Sequence, residues 1–282
     1  MRFRIMTDTD IPSGLALCRS AGWNQLSRDW EAFLEFSPVG NRVCVGDDDS
    51  VIGTVTTICY PHSFAWIGML LVHPDHRRKG VGLQLLQQAC EVLKNKTCVK
   101  LDATPAGREV YLKFGFRDEY GLSRMKAGSV NRGRLIARNP VHALTANDLE
   151  SVKALDREYF GAERMSLLSW MLDGAPELAF RTHDEKGLTG YCLGRYGHHS
   201  THIGPVVARH TDAAKALVSA ALRNCGNNAV ILDVPHHDPA WKEWLISVGF
   251  SEQRPFIRMY KGSNSEAGDP EQQFAILGPE FG

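Results

Sequence analysis

Two hydrophobic rhythms run along this chain. "FAWIGMLLV" (64–72) and "CVKLDA" (98–103) are short and apolar nearly throughout, the pattern of buried strands. Between them Val81, Leu85, Leu86, Ala89, Val92 and Leu93 recur at three- and four-residue spacing and predict a helix with one apolar face. "NRVCVGDDDSVIGTVTTICY" (41–60) predicts a hairpin turning at Asp47-Asp48-Asp49. "GREVYLKFG" (107–115) predicts a short helix ended by Gly115.

The plan is written twice. "MTDTDIPSGLALCRSA" (6–21) parallels "LTANDLESVKALDREY" (144–159), each a strand end, a Thr, a capping Asp and an apolar-periodic helix. "YLKFGFRDEYGLSRM" (111–125) parallels "LISVGFSEQRPFIRM" (245–259), and "LDATP" (101–105) parallels "LDVP" (232–235). A period of about 135 residues is that of a duplicated domain, not a solenoid. Each half reads as a strand, helices, a strand hairpin, a long helix, a strand, a helix and closing strands. The expected division is 1–130, 135–262 and a tail, 263–282. The polar "KAGSVNRGR" (126–134) serves as linker and "GSNSEAGDPEQQ" (262–273) as a connector, while "FAILGPEFG" (274–282) is apolar enough to dock.

Charge and composition narrow the function classes. The 32 basic and 32 acidic residues cancel, and no basic run exceeds Arg77-Arg78-Lys79, so nucleic acid is not an expected partner. No stretch is apolar enough for a membrane span, and the first residues lack the apolar core of a signal peptide. Seven widely spaced cysteines without a CxxC pair suggest reduced, mostly buried thiols and a cytoplasmic setting.

One stretch stands out: "HRRKGVG" (76–82), between a buried strand and an amphipathic helix. A Walker A loop needs Gly-Lys-Ser/Thr, which is absent. A dinucleotide fingerprint needs a third glycine where Leu85 stands, so that also fails. What remains is Arg77-x-x-Gly80-x-Gly82 at a strand-to-helix junction. Small residues there let backbone N–H groups and the helix dipole meet an anion, with Arg77, Arg78 and Lys79 adding charge. A solvated basic helix start with hinge glycines is the competing reading.

"LLVHPDHRRKGVG", "LDATPAGREVYLKFGF" and "AGWNQLSRDW" (21–30) together resemble the GNAT acetyltransferase superfamily across the whole first half. The first half followed by a diverged second half resembles two-domain, YitH-like members. The resemblance implies an α/β fold of two tandem domains, each a mixed, mostly antiparallel sheet flanked by helices. It implies acetyl-CoA as co-substrate. The backbone of Leu71 and Val72 would pair with the pantetheine and acetyl group, and the pyrophosphate would lie over Arg78, Lys79, Gly80, Val81 and Gly82. Tyr111, four residues before the Gly of Gly-Phe, would be the general acid.

Acetyl transfer to an amine also needs stabilisation of the carbonyl oxygen, expected from the Val72 N–H beyond a strand bulge. For the base, Asp102 is the best carboxylate; a strand-end carboxylate satisfied by backbone is the other reading of it. Glu35, His73 and a water chain are alternatives. Trp23, Trp30 and Trp66 are core residues or acceptor-pocket walls. His198, His199 and His202, and His236-His237-Asp238, are of ligand type, but turn histidines explain them and no metal is expected.

Laid on the first half, "VARHTDAAKALV" (207–218) puts Asp212 opposite Gly80 and Ala214 opposite Gly82, and Leu245 falls opposite Tyr111. A second cofactor site is therefore not expected. The expected activity is N-acetylation of a small-molecule amine by a monomer or homodimer. An acyl-CoA sensor without turnover and a protein N-acetyltransferase are the alternatives.

Overall fold

A computed structural model describes residues 1–282 apart from 62, 137–139, 227 and 265–267. The first half runs β1 (Arg2–Ile5), α1 (Ile11–Ser20), α2 (Ser27–Phe36), β2 (Arg42–Val45), β3 (Val51–Cys59), β4 (Ala65–Val72), α3 (Val81–Val92), β5 (Cys98–Ala103), α4 (Pro105–Lys113) and β6 (Arg117–Ala127). The second repeats it with β7 (Val141–Ala143), α5 (Leu149–Phe160), α6 (Met165–Gly174), β8 (Phe180–Asp184), β9 (Gly187–Arg195), β10 (Thr201–Ala208), α7 (Thr211–Asn224), β11 (Val230–Pro235), α8 (Pro239–Ser247) and β12 (Ser251–Gly262), then adds β13 (Gln273–Ala275). The mixed α/β architecture and its duplication are as the sequence implies. Lys126 and Ala127, expected in the linker, instead extend β6 and pair with Ile231 and Val230.

The sheet does not divide where the sequence does. Its order is β1-β2-β3-β4-β5-β12-β6-β11-β10-β9-β8-β7. The closing strand of each half lies beside the penultimate strand of the other: β12 pairs with β5, and β6 with β11. The two closing strands pair with each other at the centre, antiparallel. One apolar core also spans both halves, joining Trp30, Phe33 and Trp66 to Phe160, Tyr191 and Phe281.

β4 explains how a buried strand becomes a site. Ala65 and Ile67 face α3, while Trp66 faces the core beneath α1 and α2. Beyond Gly68 the parity flips: Met69 and Leu71 join Trp66's side, and Leu70 and Val72 turn to α3's side. The cause is a β-bulge, with Gly68 opposite Thr56 but Leu71 opposite Thr54. Met69 takes the left-handed conformation there (φ 49°), and its carbonyl accepts a 2.9 Å hydrogen bond from the Thr54 hydroxyl. No helix among the described residues is long and apolar enough to cross a membrane.

Candidate functional site: a splayed-strand cleft

β4 and β5 run parallel and pair only at Ala65–Val99 and Trp66–Lys100. From Ile67 onward they diverge and leave a wedge with unpaired strand edges. His73 N–H donates to the Ile52 carbonyl at 2.9 Å, so ladder alternation turns the Val72 N–H away from β3, towards the wedge. Both sides of the wedge border a cleft of about 650 Å³, counting its mouth. β4 lines it with Ile67 to Leu70, β5 with Leu101 and Asp102, and α4 with Tyr111.

The basic glycine loop follows at the end of β4. Residues 73–80 carry the chain to α3 through a turn at Pro74–His76. Arg77 Nε donates to the Val72 carbonyl at 3.2 Å, tying the loop to the strand. Arg78 (φ 60°) and Gly80 (φ 83°) are left-handed, and Gly80 caps α3. That path aims the unpaired first N–H groups of α3 outward together. A Cβ on Gly82 would meet only Val72 Cγ2, at 3.5 Å, so this position stays small with little packing reason. Arg77, Arg78 and Lys79 are exposed. These features fit a phosphate-bearing ligand.

Tyr111 packs its ring on Phe116 with centroids 5.9 Å apart, and its hydroxyl makes no hydrogen bond among the described residues. Burial pushes its phenol up to about 12, so it holds its proton at neutral pH. Asp102 also borders the cleft, but both its oxygens accept from Arg258, from Nε and Nη2 at 2.9 Å each. Glu35 is exposed on α2, and His73 lies in the loop; neither lines the cleft. Of the three tryptophans only Trp23 reaches it, while Trp30 and Trp66 are core.

The opposite wall comes from residues that the sequence did not mark as part of a site. Pro279 and Glu280 of the last segment line it, together with Gln25, Arg124, Arg254 and Phe256. The Trp66 indole holds the Pro279 carbonyl at 2.9 Å, and the Tyr60 hydroxyl bonds the Phe281 carbonyl. The Gln25 amide (2.9 Å) and Arg195 both reach Glu280 Oε1, and Arg195 also holds Asp29. Burial pushes the Glu280 carboxyl up, but Arg195, His202, Gln25 and Arg124 together outweigh this and leave it below its usual range.

The second half lacks this site for two reasons. Only residues 209–210 separate β10 from α7, against eight between β4 and α3, so the loop itself is missing. His210, not Asp212, therefore takes the position of Gly80, and its ring accepts from Ala213 N–H at 3.2 Å. The expected match of Asp212 to Gly80 did not allow for that shorter loop. The wedge is also filled. β10 and β11 pair only at Thr201–Val230 and His202–Ile231, and beyond this β13 pairs with β10 while Ile276 N–H donates to the Asp233 carbonyl at 2.9 Å. Leu245 occupies the helical position of Tyr111, fully buried.

The histidine clusters have structural partners. The His198 and His199 backbone N–H groups dock on Asn24, and His202 is buried against Asp233 at 3.2 Å. Among the described residues no group of three or more His, Cys, Asp or Glu is placed to hold a metal ion.

A family model described as Acetyltransferase (GNAT) family matches residues 15–116, and one described as Acetyltransferase (GNAT) domain matches residues 152–275. The chain is 27% identical to holothin acyltransferase of Pseudoalteromonas sp. (strain SANK 73390) over 261 residues, 92% of this chain and 87% of that protein. It is 23% identical to the N-acetyltransferase YitH of Bacillus subtilis (strain 168) over 250 residues, 88% and 87% of the two chains. The crystal structure of a candidate acetyltransferase from Pyrococcus horikoshii superposes with a TM-score of 0.82 at 23% identity, covering 100% of this chain and 95% of that one. With a glycine-loop wedge in one half and a filled wedge in the other, the chain belongs to the GNAT acetyltransferase family and carries two of its domains in tandem.

Proposed function

We propose that this acyltransferase moves the acetyl group of acetyl-CoA to the amine of a small molecule, using one site in the first half. The observation that carries the reading is the wedge between β4 and β5, which ends beside the left-handed Gly80 loop and has Tyr111 in its lining. In this reading the pantetheine arm lies along Leu71 and Val72, and the pyrophosphate meets the N–H groups at Gly80, Val81 and Gly82 with charge from Arg77, Arg78 and Lys79. Acetyl-CoA enters as a substrate, and the chain's own groups do the rest.

The neutral amine attacks the thioester carbonyl; a C–N bond forms and the C–S bond breaks. The bulge at Met69–Leu70 and the Val72 N–H supply backbone donors for the carbonyl oxygen. Tyr111, protonated throughout the physiological range, gives its proton to the departing thiolate. Asp102 enters this scheme differently from its expected role as base. With both oxygens held by Arg258 it fixes the wall of the cleft, and the amine loses its proton to water at the mouth.

A small acceptor is favoured over a protein because Trp23, Gln25, Pro279 and Glu280 wall the cleft on the side facing β4, where a protein acceptor would need an open groove. The test is CoA release from acetyl-CoA across a panel of small amines and a lysine peptide, with mass detection of the acetylated product. Acetylated small amines are expected. A protein that fails to bind acetyl-CoA, or acetylates only the peptide, would overturn the reading.

A further inference from the structure

One side chain in the cleft has no use in the scheme above. Arg254 lies on β12, directly opposite Arg124 on β6, so two guanidinium groups sit side by side on neighbouring strands. Like charges in that position repel. Arg124 is relieved by a bidentate pair with Asp233, at 2.8 and 2.7 Å. Arg258, two positions beyond Phe256 on the same face, is relieved by Asp102, and Arg195 by Asp29 and Glu280. Arg254 makes no hydrogen bond or ion pair among the described residues, and its Nε is buried without a partner. Its guanidinium lies 5.0 Å from the centroid of the Phe256 ring, and both residues line the cleft.

A half-buried cation beside a second cation, with an orphaned donor, is costly unless something else completes it. Burial, and then the Arg124 charge, lower its pKa to about 10 against the partial support of Asp233 and Glu280, which still leaves it charged at neutral pH. The guanidinium is a planar fork that matches a carboxylate in two parallel hydrogen bonds. Arg254 is borne by the second half, yet serves the first half's cleft, because β12 is exchanged across the centre of the sheet.

We propose that Arg254 binds a carboxylate on the acceptor, so that the preferred substrate is an amino acid or a similar amine bearing an anionic group. This rests on the acetyl-transfer reading above. The carboxylate docks on Arg254 over Phe256 while the amine reaches towards the Met69–Leu70 bulge. Glu280, held by Arg195 and Gln25 on the same wall, contributes the negative charge that a protonated amine meets on arrival.

The test uses matched acceptors, amino acids and their primary amides, with the wild-type protein, Arg254→Gln and Arg254→Lys. The wild type should have a KM about tenfold to a hundredfold lower for the acids, the scale of a charge-assisted hydrogen-bond pair. Arg254→Gln should raise KM for the acids by that factor, leave the amides within about twofold, and change kcat little; Arg254→Lys should recover part of the preference. Calorimetry with N-acetyl amino acids and N-acetyl amino amides gives the same comparison without turnover. Acetyl-CoA titrated into the same proteins reports separately on the cofactor reading. A wild type without acid preference, a preference that survives in Arg254→Gln, or a loss confined to acetyl-CoA affinity would each overturn the proposal.

Discussion

Arg258 of β12 grips Asp102 of β5 with two hydrogen bonds of 2.9 Å, tying the second half's closing strand to the first half's cleft. The same pair recurs by the internal repeat as Arg124 and Asp233, with the halves interchanged. Both Asp102 and Asp233 side chains are fully buried. Asp102→Asn strips Arg258 of its counter-charge and should cost about 3–5 kcal/mol of stability, the usual penalty for orphaning a buried charge. Because the closing strands are exchanged, denaturation should remain a single transition with both halves lost together. Urea unfolding followed by tryptophan fluorescence and circular dichroism checks both points. An Asp102→Asn protein of unchanged stability but abolished turnover would restore Asp102 as the base.

Asp233 gives the chain a defined acid response. Burial pushes its carboxyl up, but Arg124 and His202 overcome this and hold it well below the usual carboxylate range. A depressed folded-state value means that the unfolded chain takes up the proton first as pH falls. The stabilisation is thus complete above the unfolded value of about 3.8 and is lost as the pH drops below it. Asp233→Asn should be less stable than the wild type at pH 7, and the gap should narrow below about pH 4. Thermal melts of the two proteins from pH 3 to pH 7 measure this; a gap independent of pH would contradict the ionised pair.

If Tyr111 is the acid of the proposed scheme, Tyr111→Phe should lower kcat by roughly a hundredfold or more and leave acetyl-CoA affinity nearly unchanged, since only the phenolic proton is removed. With the phenol raised to about 12, ionisation of Tyr111 should produce no alkaline fall in kcat below about pH 11. A Phe variant of undiminished activity would pass the role to water.

The glycine loop separates packing from binding. A side chain at Gly82 meets only ordinary contact with Val72, so Gly82→Asp should fold, yet lose acetyl-CoA binding because it sets a negative charge among the helix N–H groups. Gly80→Ala forces an L-residue to hold φ 83° and should cost about 1 kcal/mol of stability as well as affinity. Calorimetry with melting curves distinguishes the two; wild-type affinity in folded Gly82→Asp would remove the loop from the site.

Stoichiometry follows from β13. The second wedge is occupied by the protein's own strand at Gln273–Ala275, and a Cβ on Gly204 would fall 2.0 Å from the Ile276 carbonyl oxygen. One acetyl-CoA per chain is therefore expected. Titration giving two equivalent sites would require β13 to leave.

The sequence by itself determined what local patterning controls. The apolar runs at 64–72 and 98–103, the helix face from Val81 to Leu93 and the doubled plan were all legible, because burial imposes a period on each element separately. The places of Gly80 and Gly82 at the start of α3 and of Tyr111 at the cleft were legible because a short motif carries them, and that of Leu245 because its helix keeps the same spacing from the Gly-Phe that follows. Only the tertiary structure decided which strands meet. β6 and β12 carry the same Gly-Phe approach and the same Arg-Met ending, so either satisfies the edge of β5, and pairing is a long-range choice that no local period encodes. The bulge at Met69 depends on the register against β3, the missing loop before α7 is hidden by the helix that follows it, and the berth of residues 273–282 is set by the wedge they fill. Asp102 and Arg254 look alike in the sequence, each a charged residue within a strand that carries others. The fold gives one of them a partner in Arg258 and leaves the other in the cleft wall without a hydrogen-bond partner among the described residues, since a charge's role depends on what lies within hydrogen-bond reach in space.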